Sequence, residues 1–151
     1  MKKHSILLVD DDLHLLDSMA DWLMSKGYAI TTAGSCQEAL AVLEERAFDC
    51  VLTDINLGDG DGFDILKRCQ RDPDAPACIL MTGYGTVETA VEALRAGAFD
   101  LLTKPLIDEE LELSLGRALD QRKVLEENRR LKDQLDKKFG LESVVGRDPR
   151  M

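Results

Sequence analysis

The sequence predicts an α/β fold: a doubly wound parallel sheet of (βα)5 type, extended by a long C-terminal helix. Three observations predict it. Residues 6–9, 50–53 and 78–81 form short, β-prone runs that are apolar throughout, as suits parallel strands buried on both faces. Hydrophobic periodicity then alternates between strand and helix five times along the chain. Beyond residue 106 the pattern changes to a charged stretch that contains no Pro and only Gly116 up to Lys138, which reads as helix.

Each element follows from its residues. The run Ile6-Leu7-Leu8-Val9 is the first strand. Leu16, Met19, Ala20 and Leu23 recur at helical spacing within residues 13–26, and Gly27 stops that helix. Residues 28–33 form the second strand. Ser35 caps a helix running to about Arg46, with Glu38 completing a capping box. After the third strand, a Gly- and Asp-rich loop over residues 57–62 leads to a helix ending near Gln70. Asp72-Pro73-Asp74-Ala75-Pro76 is a turn before the fourth strand. Thr86 caps the fourth helix, whose face Val87, Ala90, Val91 and Leu94 define. Leu101-Leu102-Thr103 is the short fifth strand. Right-handed βαβ crossovers leave few topologies, and the flavodoxin-like order 2-1-3-4-5 is a common one.

Composition narrows the function. The chain has 151 residues, 44% of them hydrophobic, with a formal charge of −10, which fits one domain and an appendage. Residues 1–106 carry 18 acidic and 9 basic side chains, whereas residues 107–138 carry 9 and 8. So acidic a globular part argues against direct nucleic-acid binding. No run approaches the ~18 apolar residues of a membrane span. The first five residues lead straight into a strand, so no signal peptide is expected. Cys36, Cys50, Cys69 and Cys78 form no Cys-x-x-Cys pair and read as buried thiols of a cytoplasmic protein.

Functional groups in open parallel sheets gather beyond the carboxyl ends of the strands. Asp10 and Asp11 follow the first strand, Asp54 the third, Thr82 the fourth, and Lys104 the fifth. Three carboxylates, a hydroxyl and an ammonium are therefore expected in one crevice. Clustered carboxylates need a cation or shifted pKa values. Oxygen-only ligands favour Mg²⁺ over softer metals. The set suits a phosphoryl group bridged by magnesium.

Several stretches, in order and at matching intervals, resemble the receiver domain of two-component response regulators. They are Leu8-Val9-Asp10-Asp11-Asp12, Leu52-Thr53-Asp54, Asp61-Gly62, Met81-Thr82-Gly83, Ala96-Gly97-Ala98-Phe99-Asp100 and Thr103-Lys104-Pro105. The resemblance implies that Asp54 is the phosphoacceptor, supplied by a sensor histidine kinase. It implies Asp11 and Asp54 as direct Mg²⁺ ligands, the backbone carbonyl of Asn56 as another, and Asp10 as a ligand through water. Thr82, Gly83 and Lys104 would bind the phosphoryl group and switch the domain, and the Lys104–Pro105 bond would be cis. The chain departs from the family at two places. Gly58 stands where Pro is usual, which widens the backbone freedom of that loop. Leu101 replaces the usual switch aromatic, so an aromatic rotamer cannot report phosphorylation there.

Residues 1–120 are thus expected to form the receiver. Val124, Asn128, Leu131 and Leu135 follow 4-3-4 spacing, the seam of a short coiled coil over residues 121–138. A homodimer through residues 107–138 accounts for this better than one amphipathic helix lying on the domain or on a following one, because the flanks are too charged to pack inward. Residues 139–151 resemble the start of the AAA+ ATPase domain of NtrC-type activators of the alternative nitrogen sigma factor. That implies downstream ATPase and DNA-binding domains absent from this chain, and a role in regulating transcription. The segment Thr82-Gly83-Tyr84-Gly85-Thr86-Val87-Glu88-Thr89-Ala90-Val91 resembles the fourth-helix region of the same subfamily. Two rival readings are a Mg²⁺-dependent phosphatase with an Asp nucleophile and a pseudo-receiver serving only as a dimerisation scaffold. Asn56, where such a phosphatase usually carries its acid, counts against the first. The intact Asp10, Asp11, Asp54, Thr82 and Lys104 set counts against the second.

Overall fold

The computed structural model describes residues 3–139. Of the expected start of an AAA+ domain, residues 139–151, Phe139 ends the last helix and the rest lies outside the described residues. Contacts in space divide the chain into two units, Met1–Leu119 and Asp120–Met151.

The first unit holds five parallel strands, β1 (Ser5–Val9), β2 (Ala29–Ala33), β3 (Cys50–Asp54), β4 (Ala77–Thr82) and β5 (Asp100–Thr103). They pair in the order β2-β1-β3-β4-β5. Helices α1 (Leu13–Ser25), α2 (Cys36–Glu45), α3 (Gly62–Gln70) and α4 (Val87–Arg95) alternate with them, and α5 (Asp108–Phe139) follows β5. Because side chains alternate across a strand, Leu7 and Val9 pack with Ala39, Leu43, Ile65 and Leu66 on one face. Ile6 and Leu8 pack with Leu16, Leu23, Leu115 and Leu119 on the other. Both faces are covered, which is why β1, β3 and β4 read as unbroken apolar runs. From β1 the chain passes to β2 on one side and then to β3 on the other, so a crevice opens between the ends of β1 and β3.

Helix ends show where local signals held and where they were redirected. Gly27, at φ +99°, ends α1 as expected. The Ser35 hydroxyl accepts from the Glu38 N–H at 3.1 Å, but the Glu38 carboxylate reaches back to the Gly34 N–H at 2.6 Å, one residue beyond the expected box. The reciprocal capping box sits instead on α3, between Asp61 and Asp64.

The α4 expectation needs a larger correction. Val87, Val91 and Leu94 do not face the sheet: they are 80%, 41% and 58% exposed, and Ala93 alone of α4 is buried. The inward side runs through half-buried Thr89 and Ala90 to Ala93. Small side chains make up that inward side, and the larger aliphatic stripe turns to solvent. All four cysteines are free and buried. No helix among the described residues is long and apolar enough to cross a membrane.

In α5, Leu111, Leu115, Ala118 and Leu119 are buried, whereas Val124, Leu131 and Leu135 are 55%, 53% and 55% exposed. Asn128 is exposed as well.

Candidate functional site

The site follows from strand order. Val9 lies opposite Thr53, so Asp10 and Asp11, just past β1, meet Asp54 at the end of β3. Asp10 is fully buried, Asp54 is 7% exposed, and Asp11 is open to solvent. One carboxylate oxygen from each lies within 4.8 Å of the others. On the far side Thr82 pairs with Thr103, and the Lys104 N–H donates to the Thr82 carbonyl at 2.7 Å. The Lys104–Pro105 bond is cis. From there the Lys104 Nζ donates to Oδ2 of Asp10 and Oδ2 of Asp54, both at 2.8 Å.

The remaining oxygens are used unequally. Oδ1 of Asp10 accepts from the Asp12 N–H at 2.9 Å. Oδ1 of Asp54 accepts only a longer bond, 3.3 Å, from the Asn56 N–H. Asp54 therefore presents a buried carboxylate with accepting capacity to spare. Asp12, third in the acidic row, points away: its carboxylate caps α1 by accepting from the Leu15 N–H at 3.2 Å.

Burial on its own lowers the pKa of Lys104. Its hydrogen bonds to Asp10 and Asp54, and then their charges, outweigh that and hold the ammonium above its ordinary value. Three carboxylates against one ammonium leave a formal charge of two negatives, facing a solvent-open side at Asp11. Oxygen donors with that surplus fit a hard divalent cation such as Mg²⁺.

Thr82 is 3% exposed, and its Oγ1 accepts from the Tyr84 N–H at 3.1 Å. Gly83 lies exposed beside it. Leu101 is half-buried, opposite Leu80 in the sheet and packed on the α2–α3 side of the core. Gly58 adopts φ +82°, which the ring of proline cannot reach, so the departure at this position carries a different loop conformation. The glycine of Asp61-Gly62 is explained by space: a Cβ on Gly62 would lie 2.7 Å from the Asp54 carbonyl oxygen.

One residue of this neighbourhood escaped the sequence reading. Asp59, in the loop after β3, accepts from the Cys36 N–H at 2.9 Å and the Gln37 N–H at 3.0 Å, the first turn of α2. Only a surplus of Asp in a Gly-rich loop hinted at it.

Fold and site together define a regulatory domain of the kind that signals through phosphorylation. The chain matches the response regulator receiver domain family over residues 6–115 and belongs to it. Its relatives are NtrC-type regulators. It is 34% identical over 143 residues to the alginate biosynthesis transcriptional regulatory protein AlgB of Pseudomonas aeruginosa, covering 94% of this chain and 32% of that protein. It is 41% identical over 114 residues to the transcriptional regulatory protein ZraR of Escherichia coli O157:H7, covering 76% of this chain and 26% of that one. The chain thus spans about a third or less of these relatives. Among solved structures it resembles NtrX from Brucella abortus, with a TM-score of 0.78 and 34% identity over 86% of this chain and 30% of that one. The beryllofluoride-activated NtrC4 receiver domain dimer gives 0.72 and 32% over 78% and 98%. Domains of this family bind Mg²⁺ at an acidic pocket, and this chain gathers Asp10, Asp11 and Asp54 into an acidic cluster.

Proposed function

We propose that this chain accepts a phosphoryl group on Asp54 from a sensor histidine kinase in the cytoplasm and converts it into altered dimerisation through residues 107–138. The observation that carries the reading is the 2.8 Å clasp of the Asp54 carboxylate by Lys104, beside Asp10 and Asp11.

Asp11 and Asp54, with the Asn56 backbone carbonyl, would hold Mg²⁺, and Asp10 would contribute through water. When bound, Mg²⁺ supplies neutralising charge for the phosphoryl oxygens. Asp54 does the bond-making. One of its carboxylate oxygens attacks phosphorus, a P–O bond forms as the donor's P–N bond breaks, and the released imidazole nitrogen takes a proton from water. Lys104 then exchanges Asp54 for a phosphoryl oxygen, a compact cation on a long stem. The Thr82 hydroxyl donates to another, and Gly83 follows. The regulated output would be the ATPase and DNA-binding domains that NtrC-type relatives place downstream, and hence transcription. Receiver at residues 1–120, coiled coil at 121–138 and AAA+ start at 139–151 is the domain division that this reading carries. A phosphatase is disfavoured because the residue two beyond Asp54 is Asn56, whose N–H donates to the nucleophile and which carries no acid.

Acetyl phosphate with Mg²⁺, followed by intact mass, tests the reading. One phosphoryl group should add to the wild type and none to Asp54→Ala, while Asp11→Ala should lose Mg²⁺ binding. Full labelling of Asp54→Ala would sink it.

A further inference from the structure

The loop between β3 and α3 carries a cross-link that the chemistry above does not use. Asp59 sits at its tip and takes two N–H groups from the first turn of α2, at 2.9 and 3.0 Å, across 23 and 22 residues of sequence. Those donors are ones that the Ser35 cap leaves over, since the Ser35 hydroxyl serves the Glu38 N–H and its carbonyl the Ala39 N–H. The carboxylate therefore meets both unpaired donors and the positive end of the helix dipole. The N–H groups of Gln37 and then Cys36 hold its pKa below the ordinary carboxylate value.

A second contact acts at the same place. Gly60 lies so close to Cys36 that a Cβ there would come within 2.8 Å of its Sγ, and the Cys36 thiol donates to the Asp61 carbonyl at 3.8 Å. The loop tip is thus seated on α2 at Asp59 and at the two residues that follow it. From the tip the restraint runs back to the acid pocket. The Leu57 N–H donates to the Gly60 carbonyl at 3.2 Å, and Asn56 bridges Asp61. Asn56 in turn donates to Asp54, and Gly58 stands 4.0 Å from Oδ2 of Asp11, measured from where its Cβ would be.

We propose that Asp59 is a positioning residue: by tying the loop to the N-terminus of α2 it holds the Asn56 backbone where it can complete the Mg²⁺ site with Asp11 and Asp54. This inference rests on the reading of that pocket as a Mg²⁺ site. Asp59 itself touches neither metal nor phosphoryl group. In relation to Gly58, the tether replaces a restraint that a proline ring would supply locally with one borrowed from a neighbouring helix.

The test is Mg²⁺ titration of the full 151-residue chain by calorimetry, with no phosphodonor. Residues that orient metal ligands typically change affinity by 10–100-fold, so Asp59→Ala should bind Mg²⁺ about tenfold more weakly. Asp59→Asn keeps one accepting oxygen and should fall between Ala and wild type. Ser35→Ala removes a cap from the same helix end without touching the loop, and should stay within about twofold of wild type. A folded Asp59→Ala with wild-type affinity would overturn the proposal, as would a Ser35→Ala defect of equal size, which would reduce the effect to helix stability. Should Asp59→Ala not fold, unchanged affinity in Asp59→Asn overturns it. A wild-type chain that binds no Mg²⁺ would instead remove the reading of the pocket, and this inference with it.

Discussion

Lys104 Nζ and Asp54 Oδ2 lie 2.8 Å apart although 50 residues separate them, and the same ammonium holds buried Asp10. Lys104 does for the unphosphorylated pocket what a bound cation does more fully: it offsets carboxylates that would otherwise repel. Removing it leaves two largely buried carboxylates with backbone N–H donors but no positive charge.

Lys104→Met should therefore destabilise the domain in the absence of Mg²⁺. Loss of one partner of a buried pair costs about 3–5 kcal/mol, and the solvent-open side of this pocket puts the expected loss at the lower end. Added Mg²⁺ should recover much of it, since binding to the folded state alone stabilises by mass action. Thermal unfolding with and without Mg²⁺ checks this. An equal Mg²⁺ shift in mutant and wild type would show that Lys104 and the metal do not share the same charge.

Assembly can be read from truncation. Val124, Leu131 and Leu135 are each more than half exposed, and the compact first unit ends at Leu119. A short coil is marginal alone, yet this stripe, with exposed Leu125 beside it, is the apolar surface that residues 120–135 offer. A chain ending at Leu119 should be monomeric, and the full chain dimeric at micromolar concentration, by light scattering. A monomeric full chain in both phosphorylation states would refute the seam.

The switch should run through Thr82 rather than residue 101. Phosphorylation adds ≈ −1.5 to −2 charge and three acceptor oxygens. Thr82 already holds the Tyr84 N–H at 3.1 Å, so its movement towards a phosphoryl group pulls on the loop that leads into α4. That helix carries the exposed Val87, Val91 and Leu94 stripe. Leu101 is half-buried and has no polar tip. Leu101→Ala should lower stability by about 2 kcal/mol, the low end for a leucine, and leave phosphorylation-dependent assembly nearly intact. Thr82→Ala should accept the phosphoryl group and lose the coupling. Sedimentation with and without acetyl phosphate separates them, and lost coupling in a folded Leu101→Ala contradicts the route.

The sequence by itself determined the elements and the composition of the site. Strands buried on both faces must be apolar at every position, so β1, β3 and β4 announced themselves. Chain order and parallel pairing then put Asp10, Asp11, Asp54, Thr82 and Lys104 at the same end of the sheet. Tertiary structure decided the partners. Periodicity states that a helix has an apolar side, but not which of two such sides fits a given gap, and in α4 the alanine side won. An aspartate's neighbours in space depend on which loop ends pass close together. Asp12 therefore turned to cap its own helix, while Asp59, unremarked among loop residues, reached 23 residues back to another helix's N-terminus. Hydrogen-bond donors left over at one helix end become visible only when the fold brings an acceptor within about 3 Å of them.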